Sequence, residues 1–365
     1  MPKTETFTLN MGPQHPSTHG VLQVQLELDG ENIVKATPIM GYLHRGIEKL
    51  LEARTYVQGV PYTDRLDYVS SMNNNFGFCR AVEELAGIEV PKRAEYIRVI
   101  MAELNRIASH LVFIGTLAID LGASTGMLYT FRDREDILDL FNIVCGARMT
   151  FHYIRIGGVA ADVQPEFIEK AYAFLDKVPE FMAEYDRILT GNEIFTRRLK
   201  GISQLSTEEA LSYNMTGPNI RATGLPYDIR KVDGYGAYPD FTFDIPVGKN
   251  GDNWDRYQVR FNEVFESAKI VRQALDGLPE GDFMAKIPKV LRPPKGEVYS
   301  RTESTRGELG FYIVSDGSTK PYRVHIRRPS FVNMQGLNAM CRGMLIGDSV
   351  AAFSSIDPLM GEVDC

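Results

Sequence analysis

Residues 91–119 read PKRAEYIRVIMAELNRIASHLVFIGTLAI. Ile97, Ile100, Met101, Leu104, Ile107, Ala108 and Leu111 recur every three or four positions, the spacing that stacks side chains on one face of a helix. The stretch is therefore read as one long buried helix. Working outward, residues 134–150 predict a second helix and residues 165–179, opened by Pro165 and closed by Pro179, a third. Ser206-Thr207-Glu208-Glu209 is a capping box that starts a short helix, and residues 255–275 are amphipathic again. Long neighbouring helices of this kind predict a bundle.

The two ends of the chain have a different period. Phe7, Leu9 and Met11 alternate with polar residues, and Leu22, Val24, Leu26 and Leu28 alternate with Gln23, Gln25 and Glu27. Asp29-Gly30 is a two-residue hairpin signal, after which a strand returns over 33–37. Past Pro293-Pro294, residues 310–314 and 322–326 read as strands around the turn Ser315-Asp316-Gly317, and a helix follows over 334–353. Residues 216–253, rich in Gly, Pro, Tyr and Asp, read as loop. The class is α+β. It divides into an N-terminal antiparallel sheet (1–40), a central long-helix bundle (41–290) and a small C-terminal α/β portion (291–365).

The chain has 365 residues, 44% of them hydrophobic, enough for a large core. A net charge of −7 argues against a nucleic-acid binder, which needs a basic face. Cys79, Cys145, Cys341 and Cys365 are scattered without a C-x-x-C pair, so no metal or iron–sulphur cluster is expected on this chain. Such spacing also lacks the look of a disulfide framework and suits a reducing compartment. Met1–Met11 has neither a basic nor an apolar signal region, and Leu111–Ile119 is too short to span a bilayer. A soluble chain is expected, meeting the membrane only through partners. No phosphate-binding glycine loop and no G-x-S-x-G elbow occurs, which gives no sign of NADH or flavin bound directly.

Three local sequences could carry chemistry. Gly12-Pro13-Gln14-His15-Pro16-Ser17-Thr18-His19-Gly20 sets two histidines four residues apart. On a helix they would be a metal pair, but Pro16 and the flanking strands oppose a helix. That leaves a tight turn with its histidines capping backbone groups, or a loop presenting a histidine for proton and hydrogen-bond chemistry. Asp64-Arg65-Leu66-Asp67-Tyr68-Val69-Ser70 reads as a solvated ion-pair face within one helical turn, with Tyr68 either a core aromatic whose hydroxyl is satisfied or a catalytic donor. Asp120 ends the apolar run of the long helix. It is either a carboxylate reaching water or a paired and perturbed one.

Taken together, Gly12–Gly20, Gly41-Tyr42-Leu43-His44-Arg45-Gly46-Ile47-Glu48-Lys49, Asp64–Ser70, Arg306-Gly307-Glu308-Leu309-Gly310 with Lys320-Pro321-Tyr322-Arg323, and Gly361-Glu362-Val363-Asp364 resemble the 49-kDa (D-type) subunit family of respiratory complex I, in the same order from end to end. That family is similar to the large subunit of nickel–iron hydrogenases. There, four cysteines hold nickel. Here Asp67, Ser70, Leu359 and Glu362 stand at those positions, so soft thiolate ligation is lost. The resemblance implies a hydrogenase-like fold whose vacated cavity takes a quinone headgroup. It implies His19, Tyr68 and Asp120 as the residues of the chemistry, with Asp120 pairing with His19. Thr116, Val363 and Asp364 would line the cavity, and Arg45 would lie near an iron–sulphur cluster held by a neighbouring subunit.

The resemblance further implies quinone as substrate, with NAD, FMN and the clusters on partner chains. The expected partners are a cluster-binding B-type subunit, a C-type subunit, other peripheral-arm subunits and a membrane-arm subunit at the quinone entrance. The implied place is the cytoplasmic side of the inner membrane, as a peripheral protein of a proton-translocating NADH:quinone oxidoreductase. Two positions depart from the family: Thr150 stands where a histidine is usual, with His152 two residues on, and Cys365 stands where a terminal arginine is usual. Competing readings are the same subunit in a complex fed by ferredoxin or another donor, a true hydrogenase subunit, and a scaffold. The missing cysteines argue against the hydrogenase.

Overall fold

The computed structural model describes residues 6–13 and 21–365. Its first layer is an antiparallel sheet of β1 (Phe7–Met11), β2 (Gln23–Asp29) and β3 (Asn32–Ile39) in the order β1-β2-β3. The register pairs Leu9 with Leu26 and Leu26 with Ala36, so Val24, Leu26, Leu28, Ile33 and Ala36 bury one face. Three helices follow: α1 (Ile47–Ala53), α2 (Tyr56–Thr63) and α3 (Ser71–Ala86). Then come the long α4 (Lys92–Asp120) and α5 (Ser124–Cys145). A two-stranded ribbon, β4 (Ile154–Arg155) with β5 (Gly158–Val159), precedes α6 (Pro165–Tyr185). Short helices α7 (Glu193–Arg197), α8 (Thr207–Ser212), α9 (Pro218–Arg221) and α10 (Ile229–Val232) lead into α11 (Asn253–Asp276).

A second antiparallel sheet holds β6 (Gly296–Ser304), β7 (Gly307–Ser315) and β8 (Arg323–Arg327). The chain finishes with α12 (Pro329–Asn333), α13 (Leu337–Cys341), α14 (Ile346–Ile356) and α15 (Met360–Val363). The α+β class expected from the sequence is the class of the structure. Among the described residues no helix is long and apolar enough to cross a membrane.

Two apolar clusters organise these elements. The larger joins α3, α4, α5, α6 and α11 with the inner faces of β7 and β8. The smaller joins the buried face of the first sheet to Ala210, Ile220, Met334, Leu337, Phe353, Ile356, Met360 and Val363. The beginning and the end of the chain therefore share one core.

Four boundaries differ from the sequence reading. The second helix begins at Ser124 rather than 134 and stops at Cys145, where Gly146 takes φ +66° and donates to the Asn142 carbonyl. The third runs through Pro179 to Tyr185, held by Phe174, Phe181 and Tyr185 stacked in the core. Strand β6 was not foreseen. The expected helix over 334–353 is broken at Gly343, because Ile33 of β3 donates to Met344 and accepts from Gly343 there.

Candidate functional site

The turn between α2 and α3 carries Tyr68, and side chains from three directions fix its backbone. Asp67 Oδ1 accepts the Val69 and Ser70 amides at 3.1 and 3.2 Å. Asn74 Nδ2 donates to the Asp67 carbonyl and Asn105 Nδ2 to the Val69 carbonyl, both at 2.9 Å. Ser71 Oγ reaches the Asp64 carbonyl at 2.9 Å. A turn this tied down presents its remaining side chain at a fixed place. Tyr68 is half-buried, and its hydroxyl is engaged by no described residue. Burial foremost, and Asp67 after it, push the phenol above its ordinary value, against Arg306 and Arg45, so at neutral pH it keeps its proton as a donor.

Behind the turn lies a buried charged cluster. Arg306, on the connection between β6 and β7, donates Nη1 to Asp67, Ser109 Oγ (3.2 Å) and Thr305 Oγ1 (3.0 Å). Its Nη2 meets Asp357 Oδ1 at 3.1 Å and its Nε the Asp357 carbonyl at 2.9 Å. Asp357 caps α14 with φ +58°, a strained position for a non-glycine that the two bonds to Arg306 hold in place. Glu362 stands close enough to Asp67 and Arg306 to feel both charges.

The last residues close the site from the other side. Asp364 accepts the Gly41 and Leu43 amides at 2.8 Å each, and His44 Nδ1 lies 3.0 Å from the Asp364 carbonyl. Arg45, itself exposed, donates to the Gly361 carbonyl. A Cβ on Gly361 would stand 3.0 Å from Tyr68 Cε1 and 2.8 Å from the Leu66 carbonyl oxygen, so only glycine lets this backbone lie against the Tyr68 ring. Val363 is buried in the smaller core, and Arg328 Nη1 donates to its carbonyl at 3.1 Å. The Cys365 carbonyl and Sγ accept from Arg328 Nη1, at 3.1 and 3.4 Å.

Arg45, Tyr68, Val363 and Asp364 are thus gathered in one place, 41–45 and 64–70 gripping 361–365. Asp120 and Thr116 lie apart from this group. Both are on the last turns of α4, four residues apart and so on one face. Thr116 Oγ1 bonds back to the Val112 carbonyl at 2.9 Å. Asp120 accepts from Ser354 of α14, and burial pushes its carboxyl up to about 7 against that hydrogen bond. At 1.5 Å rise per residue, Asp120 is roughly 16 Å along α4 from Ser109, which touches Arg306. His19 and its loop lie outside the described residues, and so does any pairing with Asp120. Thr150 and His152 both have positive φ, 52° and 47°, and the His152 amide lies 3.4 Å from Asp64 Oδ1. Burial lifts Asp64 to about 6, against that amide and Arg65.

Sequence reasoning quoted Arg306 and Asp357 inside motifs without giving them a place in the site. The available signal was a charged residue beside apolar ones, as in Ser355-Ile356-Asp357-Pro358, where burial demands a partner. Among the described residues no group of three or more His, Cys, Asp and Glu is arranged to hold a metal ion.

Comparison of the sequence with known proteins finds relatives along the whole chain. The family model described as respiratory-chain NADH dehydrogenase, 49 Kd subunit, matches residues 120–293 and 289–365. A protein of Desulforamulus reducens, named as the D-type subunit of NADH-quinone oxidoreductase, is 57% identical over 362 residues, 99% of each chain. Proteins of the same name from Carboxydothermus hydrogenoformans and Bacillus anthracis are 53% and 51% identical over the whole of both chains.

Proposed function

The chain belongs to the family of the 49-kDa subunit of respiratory-chain NADH dehydrogenase, complex I, and from that premise we propose that it supplies the quinone headgroup site of an NADH–quinone oxidoreductase. The observation that carries this is Tyr68: a protonated phenol with no described partner, held on a clamped turn between Arg45 and the Arg306 cluster.

Quinone takes two electrons and two protons to become quinol. The electrons arrive from a cluster on a partner subunit, which the exposed Arg45 faces. Tyr68 donates to one carbonyl oxygen and His19 to the other, and Asp120 favours the protonated form of His19. Donors fixed before the charge develops stabilise it without reorganisation. Thr116, Val363 and Asp364 shape the cavity. This chain holds no flavin or metal of its own. NAD, FMN and clusters belong to its partners: a cluster-binding B-type subunit, a C-type subunit and a membrane-arm subunit at the entrance. The complex sits with this chain peripheral to the cytoplasmic face of the inner membrane, and quinone reduction drives proton translocation. NADH rather than ferredoxin is assigned as donor on the name its relatives carry.

The test is Tyr68→Phe in the purified complex, assayed in parallel with quinone and with an artificial acceptor that takes electrons upstream. Losing one hydrogen bond to a developing charge costs on the order of 2–4 kcal/mol, so quinone reduction should fall roughly ten- to a thousandfold. Assembly and the upstream rate should stay normal. Equal losses with both acceptors would instead make the residue structural, and unchanged quinone turnover would remove Tyr68 from the site.

A further inference from the structure

Three carboxylates, Asp67, Asp357 and Glu362, are fully buried around the one guanidinium of Arg306. The next cation, Arg260, has its Nε 3.8 Å from Asp357 and spends its other nitrogens on the carbonyls of Arg256, Ser355 and Ile356. Asp67 and Asp357 take the direct contacts to Arg306. Glu362 is left with one: its Oε2 accepts the Ser330 amide at 3.0 Å, while its buried Oε1 has no partner among the described residues. Where three buried carboxylates share one guanidinium, the one without a cation in contact is the costliest to keep ionised, and protonating it removes the repulsion from its neighbours.

We propose that Glu362 is held as the neutral acid in the resting enzyme and returns a proton to Tyr68 after Tyr68 has protonated the reduced quinone. This rests on the reading of Tyr68 given above and deepens it. Glu362 follows Gly361, whose backbone lies against the Tyr68 ring, and consecutive Cα atoms are about 3.8 Å apart. The other groups about the ring cannot serve. Asp67 is committed to Arg306 and to two amides, and the Arg306 guanidinium is a donor that its carboxylate neighbours hold in the charged form.

The step balances. The O–H bond at Glu362 breaks and one forms at the Tyr68 phenolate. The new carboxylate faces Arg306, and a proton from water restores it before the next turnover. Burial first, then Asp67, lifts Glu362 to about 7, against Ser330 and Arg306. The charged and titratable groups facing it are Asp67 from the α2–α3 turn, Arg306 from the β6–β7 connection, and Cys365 beyond α15. Glu362 acts through Tyr68 and need not touch the substrate.

The experiment is Glu362→Gln in the assembled complex, with Tyr68→Phe alongside, followed from about pH 6 to pH 9. Wild-type quinone reduction should decline as pH rises through about 7, the alkaline limb belonging to Glu362. Glu362→Gln should assemble normally, keep the upstream acceptor rate, lose that limb, and run at least about tenfold slower at the acid end. An infrared carboxylic-acid band present in the wild type should vanish in the variant. A wild-type rate and profile in Glu362→Gln would overturn the proposal. So would failure of this variant to assemble, because Gln matches the neutral acid and only a carboxylate would be missed. If Tyr68→Phe is itself unimpaired, the reading of Tyr68 fails. If Tyr68→Phe is slow while Glu362→Gln is normal, only the proton supply falls.

Discussion

The cost of a buried charge is set by its neighbours, and Arg306 is where this matters most. Its guanidinium neutralises Asp67 and Asp357 together, in a place that the sequence resemblance assigns to a metal in hydrogenases. A cation is still there, but it is covalently part of the chain and cannot change valence. Arg306→Met keeps the bulk and strands both carboxylates. Breaking a buried pair this way costs about 3–5 kcal/mol, so the variant should fail to accumulate in the complex or melt well below wild type. Asp120 makes a different prediction. Its carboxyl, raised to about 7 by burial, is neutral on the acid side and can favour a protonated histidine only as pH rises through 7. Asp120→Asn should therefore remove the acid limb of the quinone pH–rate profile and slow turnover more mildly than Tyr68→Phe. An unaltered acid limb would separate Asp120 from the reaction.

At the scale of elements, periodicity found α4, α11 and the first sheet because each has one dominant apolar face. It failed where small or ring-bearing residues play structural parts. Ser124–Asp133 fell outside the expected helix, yet Gly126 is what lets α5 approach: a Cβ there would stand 2.9 Å from Ala118 Cβ of α4 and 3.0 Å from Leu189. Pro179 looked like a stop, yet aromatic packing on both sides carries α6 through it. The site divided the same way. Tyr68 and Arg45 stood in quotable motifs, but Arg306 meets Asp67 across 239 residues, and pairing at that distance leaves no local pattern. The connection that aims Arg306 yields its own prediction. Gly217 (φ +65°) and Gly307 (φ +129°) meet backbone to backbone, and a Cβ on Gly217 would lie 2.7 Å from the Gly307 nitrogen. Gly217→Ala should cost at least about 1–3 kcal/mol in thermal unfolding. It should also depress quinone reduction, because residue 306 must move with residue 307. A variant with wild-type melting would show that the contact is slack.

The whole molecule is threaded by buried charge. Glu103, Arg106, Arg221, Asp228, Arg230, Glu263 and Glu303 form one fully buried network joining α4, α9, α10, α11 and β6. For Glu263, burial alone would raise the carboxyl, but Arg221, His110 and Arg230 outweigh it and hold it well below its usual range. Such a depressed acid stabilises the fold above its unfolded value of 4.5, and the contribution is lost on acidification below that. Glu303 and Glu362 behave oppositely. Both are raised to about 7, so what they contribute is full below 4.5 and lost as pH rises through 7. Thermal unfolding of the complex should therefore show this subunit more stable near pH 5–6 than near pH 8. A flat or rising profile across that span would contradict the assignment.

The grip of Asp364 on Gly41 and Leu43 also sets a timetable. The two partners are 323 and 321 residues apart. At about 5–20 residues per second of synthesis, the first half of the site waits on the order of tens of seconds for the second. During that interval the 41–45 segment and the turn bearing Tyr68 have nothing to close on. The smaller core lacks most of its apolar filling, which comes from residues 334–363. The nascent chain thus exposes the apolar face of its first sheet through that interval, and a chain cut short before residue 334 would leave that face uncovered.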